Sequence, residues 1–207
     1  MLKWQVTTEP AVEPVSLAEA QLNLRSDCEA EDDLVTALIV AARRWCEGYE
    51  NRAYITQTIT AKTFYLPDQI ILPRPLLQSV TSVAYVDTAG DEQTLSSDLY
   101  DVDVYREPGQ ITRAYGENYP SVRGDVNGVT IVYKAGYGDA STDVPQETIQ
   151  AIQLMIAHLY ENRIAVTDVN MNILPMGVKY LLNKRGAEFY VINCYPDRFI
   201  YAINIML

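Results

Sequence analysis

The sequence predicts an α+β fold: a small bundle of three to four helices, an inserted antiparallel β module and an extended C-terminal arm. Apolar residues recur at helical spacing over residues 32–52 and again after Pro145. The residues between them form short runs rich in Thr, Ile, Val and Tyr, separated by turns. The chain therefore divides into an N-terminal helical hairpin (1–55), the β module (56–138), the C-terminal helices (139–185) and an apolar C-terminal arm (186–207).

Local signals predict the first two helices. Ser16-Leu17-Ala18-Glu19 matches a capping box, which starts a short helix that ends near Arg25. A long amphipathic helix follows over residues 32–52. Acidic residues occupy its first turn, where negative charge interacts favourably with the positive end of the helix dipole. One face of this helix carries an apolar stripe and is predicted to pack inside the chain. The stripe comprises Leu34, Leu38, Ala41, Trp45 and Tyr49. The opposite face is predicted to be free for neighbouring molecules, and carries Arg43, Arg44, Glu47 and Glu50.

Several short strands are predicted between the helices. Pro73-Arg74-Pro75 excludes a central strand directly after residues 70–72, because proline cannot donate a hydrogen bond to a strand ladder. Thr88-Ala89-Gly90-Asp91 predicts a hairpin turn. Strands are expected at residues 56–65, 83–87, 92–95, 100–104, 110–113 and 129–133, the last being the most apolar. The close spacing of the turns favours a compact antiparallel sheet or a small barrel.

Helical spacing returns in the last third of the chain, and an apolar segment ends it. A third helix is predicted from Pro145 to about Asn162, and a short fourth helix at residues 174–184. Chain ends are usually polar, so the apolar arm favours docking on another subunit as much as it favours a strand that completes the core. The arm residues predicted to bind a partner are Phe189, Tyr190, Val191, Ile192, Tyr195, Phe199, Ile200 and Tyr201.

Composition excludes several classes of protein. The formal net charge of −11 argues against a protein that grips nucleic acid through basic patches. The charge is uneven, since residues 1–168 hold 12 basic and 25 acidic groups whereas residues 169–207 hold 4 and 2. The chain has no apolar run long enough for a membrane span and begins without the apolar core of a signal peptide. We therefore expect a soluble protein that is made inside the cell.

Candidate chemistry is sparse. Three cysteines without a CxxC pair, and His158 as the only histidine, predict neither a metal site nor a disulfide framework. Asp101 and Asp103 could form a metal-binding pair, but the same alternation is typical of a half-solvated strand. Gly136 and Gly138 lack the context of a dinucleotide site. We predict no enzyme activity and no cofactor, while fifteen tyrosines leave open a sugar-stacking surface.

The order of these motifs resembles that of the head–tail connector proteins, also called adaptor or head-completion proteins, of long-tailed bacteriophages and prophages. The resemblance covers roughly residues 14–185 and depends on the order and spacing of the motifs together, whereas residues 186–207 depart from the pattern. The motifs are Val15-Ser16-Leu17-Ala18-Glu19-Ala20, Ala41-Ala42-Arg43-Arg44-Trp45-Cys46-Glu47, Leu72-Pro73-Arg74-Pro75-Leu76, Val80-Thr81-Ser82-Val83, the Gly90 hairpin, Tyr100-Asp101-Val102, Tyr133-Lys134-Ala135-Gly136-Tyr137, Val144-Pro145, the helix at residues 151–163 and Leu174-Pro175-Met176-Gly177-Val178 before Leu181-Leu182.

The resemblance implies a structural protein of the virion neck, made in the bacterial host cytoplasm. Such connectors form a ring, commonly of twelve subunits, beneath the portal protein, and support the next connector or tail protein. Double-stranded DNA passes through the ring without specific binding, and no membrane is involved. The alternatives are a head-closure or tail-completion protein lower in the neck and, in a different class, a monomeric carbohydrate-binding accessory domain.

Overall fold

The structure is a computed structural model that describes residues 2–26, 29–162 and 176–183. Within these ranges it contains four α-helices and two antiparallel sheets, which confirms the predicted α+β class. None of the described helices is both long and apolar enough to cross a membrane. The helices are α1 (Leu17–Leu24), α2 (Asp32–Glu50), α3 (Gln146–Glu161) and α4 (Met176–Asn183). The strands are β1 (Lys3–Thr8), β2 (Gln57–Thr63), β3 (Gln69–Ile71), β4 (Leu77–Val86), β5 (Glu92–Thr94), β6 (Tyr100–Asp103), β7 (Gln110–Arg113) and β8 (Val129–Ala135).

The larger sheet has the strand order β1-β2-β8-β4-β5 and the smaller one β3-β7-β6. Strand β8, predicted to be the most apolar, lies at the centre of the larger sheet and alternates buried residues with half-buried or exposed ones. Strand β1 pairs with β2 along one edge. The N-terminal strand therefore extends the sheet of the β module at its edge.

The proline-rich segment separates two strands as expected. Strand β3 ends at Ile71 and forms an edge of the smaller sheet, which agrees with the exclusion of a central strand there. Strand β4 begins at Leu77, six residues before the predicted start at residue 83. Its first half is polar and carries two register irregularities, so its strand conformation depends on pairing with β8 rather than on local propensity.

Buried apolar residues form one cluster among the helices and another within the sheets. The helical cluster joins Val35 and Ile39 of α2 to Ile152 and Ile156 of α3. Helix α4 packs on α3 and adds Val178 and Leu182 to the same cluster. The sheet cluster includes Ile59, Ile70, Leu77, Val83, Ile111, Val129, Ile131 and Tyr133.

Helix α2 is rotated relative to the prediction. Of the predicted stripe, Leu34 is 37% exposed and Ala41 is exposed, while Leu38, Trp45 and Tyr49 are half-buried against the helical cluster. The fully buried apolar positions lie one residue later, at Val35, Ile39, Ala42 and Cys46. The apolar arc of α2 is wider than one stripe, and one residue corresponds to a turn of about 100° around the helix axis. Spacing alone could not show which part of the arc faces the core.

The predicted helix starts are close to the observed ones. The Ser16 hydroxyl accepts a hydrogen bond from the Glu19 N–H at 3.3 Å, and the Ser16 N–H donates to Glu19 Oε2 at 2.8 Å, which confirms the capping box. Helices α1 and α2 are linked by a hydrogen bond from Gln21 Nε2 to Asp32 Oδ1. Helix α3 begins one residue after Pro145, which occupies the N-cap.

Gly136 joins the end of β8 to the segment that leads into the helices. Its φ of +145° is unfavourable for other residues, and a Cβ atom there would lie 2.7 Å from the backbone of Ile55 and Thr56. We predict that Gly136→Ala lowers the free energy of unfolding by about 2–5 kcal/mol, from backbone strain plus this clash. Urea denaturation followed by circular dichroism measures the change.

Gly116→Ala is the matched control. Gly116 also has a positive φ, of +81°, but a Cβ atom there meets no other atom within 4 Å. It should lose only about 1 kcal/mol, from the left-handed conformation alone. Equal losses for the two variants would contradict the close packing at Gly136.

Candidate functional site

Arg43, one of the predicted partner-binding residues, is buried inside the chain. Its side chain is 2% exposed and contacts three carboxylates. Nε and Nη2 donate to the two oxygens of Glu13 at 2.7 and 3.2 Å, Nη1 donates to Glu47 at 3.0 Å, and Nη2 donates to Glu9 at 3.1 Å. The prediction of a free outer face is therefore wrong for Arg43. The chain after β1 crosses α2 and supplies two of the acceptors.

Glu47 is the buried counterpart of Arg43, one helical turn later. Its carboxylate accepts hydrogen bonds from Arg43, from the Tyr54 N–H at 3.0 Å and from the side chain of Gln57. Burial raises the pKa of the Glu47 carboxyl, and the charge of Arg43 opposes that rise. The prediction of a free face is wrong for Glu47 as well, because it ties the last turn of α2 to the start of β2.

Arg74, from the proline-rich segment, contacts the same C-terminal end of α2. Its Nη1 donates to the carbonyl oxygens of Glu47 at 2.8 Å and Arg52 at 2.9 Å, where the helix ends. The Glu47 carbonyl also accepts a hydrogen bond from the Arg52 N–H, so Arg74 is an additional donor to it. Its guanidinium lies over the ring of Trp4, 4.8 Å from the centroid, so Arg74 also contacts β1. Burial lowers the pKa of Arg74. We call Glu9, Glu13, Arg43, Glu47 and Arg74 the junction cluster.

The junction cluster joins α2, β1 and β2 and is suited to a structural role. Arg43 is paired with three carboxylates, whereas Arg74 donates to backbone carbonyl oxygens. Buried charges require partners of this kind. Among the described residues, no group of three or more His, Cys, Asp or Glu side chains is arranged to hold a metal ion. Asp103, the second residue of the candidate metal pair, accepts hydrogen bonds from the Tyr105 and Arg106 N–H groups and so forms part of a turn.

Arg44 and Glu50, the other two predicted ring-interface residues on α2, are less buried than Arg43 and Glu47. Arg44 has a side chain that is 59% exposed and forms an ion pair with Glu9 at 2.9 Å. Glu50 is half-buried and accepts a hydrogen bond from the Tyr54 hydroxyl. A role for Arg44 and Glu50 in contacts between subunits stays a prediction. The arm residues predicted to bind the portal (Phe189, Tyr190, Val191, Ile192, Tyr195, Phe199, Ile200 and Tyr201) lie outside the described residues.

Sequence reasoning missed three members of the junction cluster, Glu9, Glu13 and Arg74. Arg43 and Glu47 are spaced as an ion pair on one helix face, and this spacing could have revealed their contact. Arg74 is a single charge between two prolines, which also marks it as unusual. No local signal identifies Glu9 and Glu13 as the partners of Arg43, since they precede it by 34 and 30 residues.

Comparison with known proteins gives structural neighbours only. No protein-family model and no curated protein matches the sequence. A chain from the virion of a native gene transfer agent particle matches with a TM-score of 0.70 and 26% identity, over 87% of this chain and 93% of that one. A chain from the neck of the empty particle, computed with C6 symmetry, matches with a TM-score of 0.71 and 25% identity over the same shares. This chain has the fold of a neck protein.

A third neighbour supports the neck-protein fold. It comes from the neck of the native particle computed with C12 symmetry, and matches with a TM-score of 0.65 and 24% identity over 86% of this chain and 93% of that one. At that identity the likeness concerns the fold alone. The first two neighbours confirm the predicted resemblance to head–tail connector proteins, since one comes from a virion and the other from a neck, which is the predicted location. They favour a structural role.

The junction cluster gives a prediction about stability. Arg43→Met keeps the apolar stem but leaves the Glu47 carboxylate buried without its ion-pair partner, so we expect the free energy of unfolding at pH 7.5 to fall by about 3–5 kcal/mol. The loss should shrink as the pH falls. Burial raises the pKa of Glu47, and the variant lacks the Arg43 charge that opposes this rise. The free-energy cost of burying the Glu47 carboxylate therefore applies above that raised pKa and is lost as the carboxyl becomes protonated at lower pH. Chemical denaturation at pH 7.5 and pH 5 measures both effects.

Arg44→Met is the matched control, because Arg44 is the adjacent residue and its ion pair is exposed. Exposed pairs contribute about 1 kcal/mol or less, so this variant should remain close to the unsubstituted chain at both pH values. If Arg43→Met were no more destabilising than Arg44→Met, the cluster would not hold the helices and sheet together as described.

Proposed function

We propose that this chain is a structural head–tail connector, or adaptor, of a bacteriophage-like particle. In this proposal it forms a ring under the portal protein, extends the DNA channel and provides the platform on which the next connector or tail protein docks. The observation that carries the proposal is the likeness to a chain from a virion and to a chain from a neck, over 93% of their length and 87% of this chain. A likeness of that extent covers the helices and the sheets together.

Ring assembly is supported by the symmetry of the neighbours. Their necks were computed with C6 and with C12 symmetry, which fits a ring of twelve copies or one arranged in six repeats. A closed ring needs two different surfaces on each copy, because every copy contacts one neighbour on each side. We propose twelve copies of this chain in the ring.

The charge of the chain suits a channel for DNA. A duct with negatively charged walls repels phosphate groups and lets the duplex slide without sticking. The net charge of −11, with 25 of the 27 acidic residues in residues 1–168, supports such a lining. In this role DNA is a passing cargo rather than a bound ligand, and the chain carries out no catalysis.

Electron microscopy of the purified chain, alone and mixed with portal-bearing capsids, tests the proposal. We expect soluble monomers alone and closed rings seated under the portal in the mixture, because the portal supplies the template on which the copies align. A monomer that does not bind portal-bearing capsids would contradict the proposal and favour a small-ligand-binding domain. Rings that bind only capsids already carrying another connector would place the chain lower in the neck.

The C-terminal arm is proposed to attach the ring to the portal. Deleting residues 189–207 should abolish binding to portal-bearing capsids, because it removes the apolar residues assigned to that contact. Co-sedimentation with capsids measures binding, and an unchanged unfolding midpoint shows that the rest of the chain still folds. Val126→Asp, a charge placed at an exposed loop position of the β module, is the control and should bind normally. Undiminished binding by the truncated chain would overturn this role for the arm.

A further inference from the structure

The N-terminal part of the outward side of α2 is largely apolar on a strongly acidic chain, and exposed Arg44 lies beyond it towards the C-terminal end. Leu34 is 37% exposed, and Ala37 and Ala41 are exposed at positions three and seven residues later, so all three lie on one side of the helix. Asp33 is exposed at the N-terminal end of this side. We call Asp33, Leu34, Ala37 and Ala41 the α2 surface. It contains part of the stripe that the sequence assigned to the core.

A second exposed apolar surface lies where α4 packs on α3. Leu154 of α3 is 41% exposed, and a Cβ atom on Gly177 of α4 would lie 3.5 Å from its Cδ1 atom. Tyr180 follows Gly177 by one helical turn on the same side and is 68% exposed. Lys179 beside it is also exposed. We call Leu154, Lys179 and Tyr180 the α4 surface.

The two surfaces lie on different sides of the helices. Val35 and Ile39 of α2 face the same cluster as Ile152 and Ile156 of α3, so the exposed side of α2 points away from α3. Helix α4 packs on α3. Leu154 is two residues from both Ile152 and Ile156, so it lies on the side of α3 opposite the helical cluster, whereas α2 lies on the cluster side. Two such surfaces are what the contacts around a closed ring require.

The surfaces are complementary in charge and in size. The α2 surface and the turn before it carry exposed Glu29 and Asp33, whereas the α4 surface carries Lys179. The small side chains of Ala37 and Ala41 leave room for an aromatic ring, and Tyr180 supplies one. Aromatic residues with a polar end are common at the centres of protein interfaces.

We propose that the α4 surface of one copy packs on the α2 surface of the next copy in the ring. Tyr180 and Leu154 cover Leu34, Ala37 and Ala41, while Lys179 lies beside Asp33. The occupant of the α2 surface is thus a second copy of this chain. The proposal rests on the proposed function, because it names the contact that closes the connector ring.

Cysteine cross-linking tests this contact in rings assembled on portal-bearing capsids. The double variant Leu34→Cys, Tyr180→Cys, treated with a short bis-maleimide, should give a ladder of products extending beyond the dimer. An equimolar mixture of the two single variants should give products no larger than dimers, because each chain then has one reactive partner. The pair Leu34→Cys, Val126→Cys is the control, since Val126 is 75% exposed but belongs to the β module. It should give only the background of the unsubstituted chain, which retains its three native cysteines.

The outcomes separate this inference from the proposed function. If the unsubstituted chain forms no ring on capsids, the proposed function fails and the contact fails with it. If rings form but the double variant gives no ladder above the control pair, only the contact is overturned. Dimers formed by Leu34→Cys alone would show that identical surfaces meet, which also overturns it. If the thiol introduced by Tyr180→Cys resists maleimide in the monomer, the chain itself covers the α4 surface, and the contact is overturned as well.

Discussion

Burial of the Arg43 guanidinium is the constraint on which the rest of the structure depends. A buried guanidinium is tolerated only where acceptors surround it, and here Glu9, Glu13 and Glu47 supply them. This requirement holds the chain after β1 across α2. The Glu47 carboxylate in turn accepts hydrogen bonds from Tyr54 and from Gln57 at the start of β2, while Arg74 donates to the Glu47 carbonyl in the last turn of α2. One buried charge thus determines how the longest helix meets the sheet.

The rotation of α2 links this cluster to assembly. With Arg43 and Glu47 turned inward, the buried apolar positions are Val35, Ile39, Ala42 and Cys46, and part of the wider apolar arc remains at the surface. An exposed apolar strip on an otherwise acidic chain is a natural place for a subunit contact. The buried ion pair and the outward apolar strip are therefore two consequences of one helix orientation.

Local signals in the sequence predict elements better than they predict contacts. The capping box at Ser16, the helix after Pro145 and the apolar strand β8 all follow from neighbouring residues, and the structure contains each. The first half of β4 cannot be predicted from neighbouring residues, because its polar residues form a strand only through pairing with β8. The predicted orientation of α2 was wrong for a related reason. The observed orientation depends on Glu9 and Glu13, which precede Arg43 by 30 residues or more. The spacing of residues within a helix cannot predict such distant partners.

The proposed role, a ring-forming structural component of the neck, can be tested on whole particles. The decisive experiment is a cryo-EM reconstruction of the neck in particles from cells that encode the chain. We expect a closed ring of this fold next to the portal, with the channel passing through its centre. A neck that lacks the chain, or that holds it as isolated copies outside a ring, would be incompatible with that role.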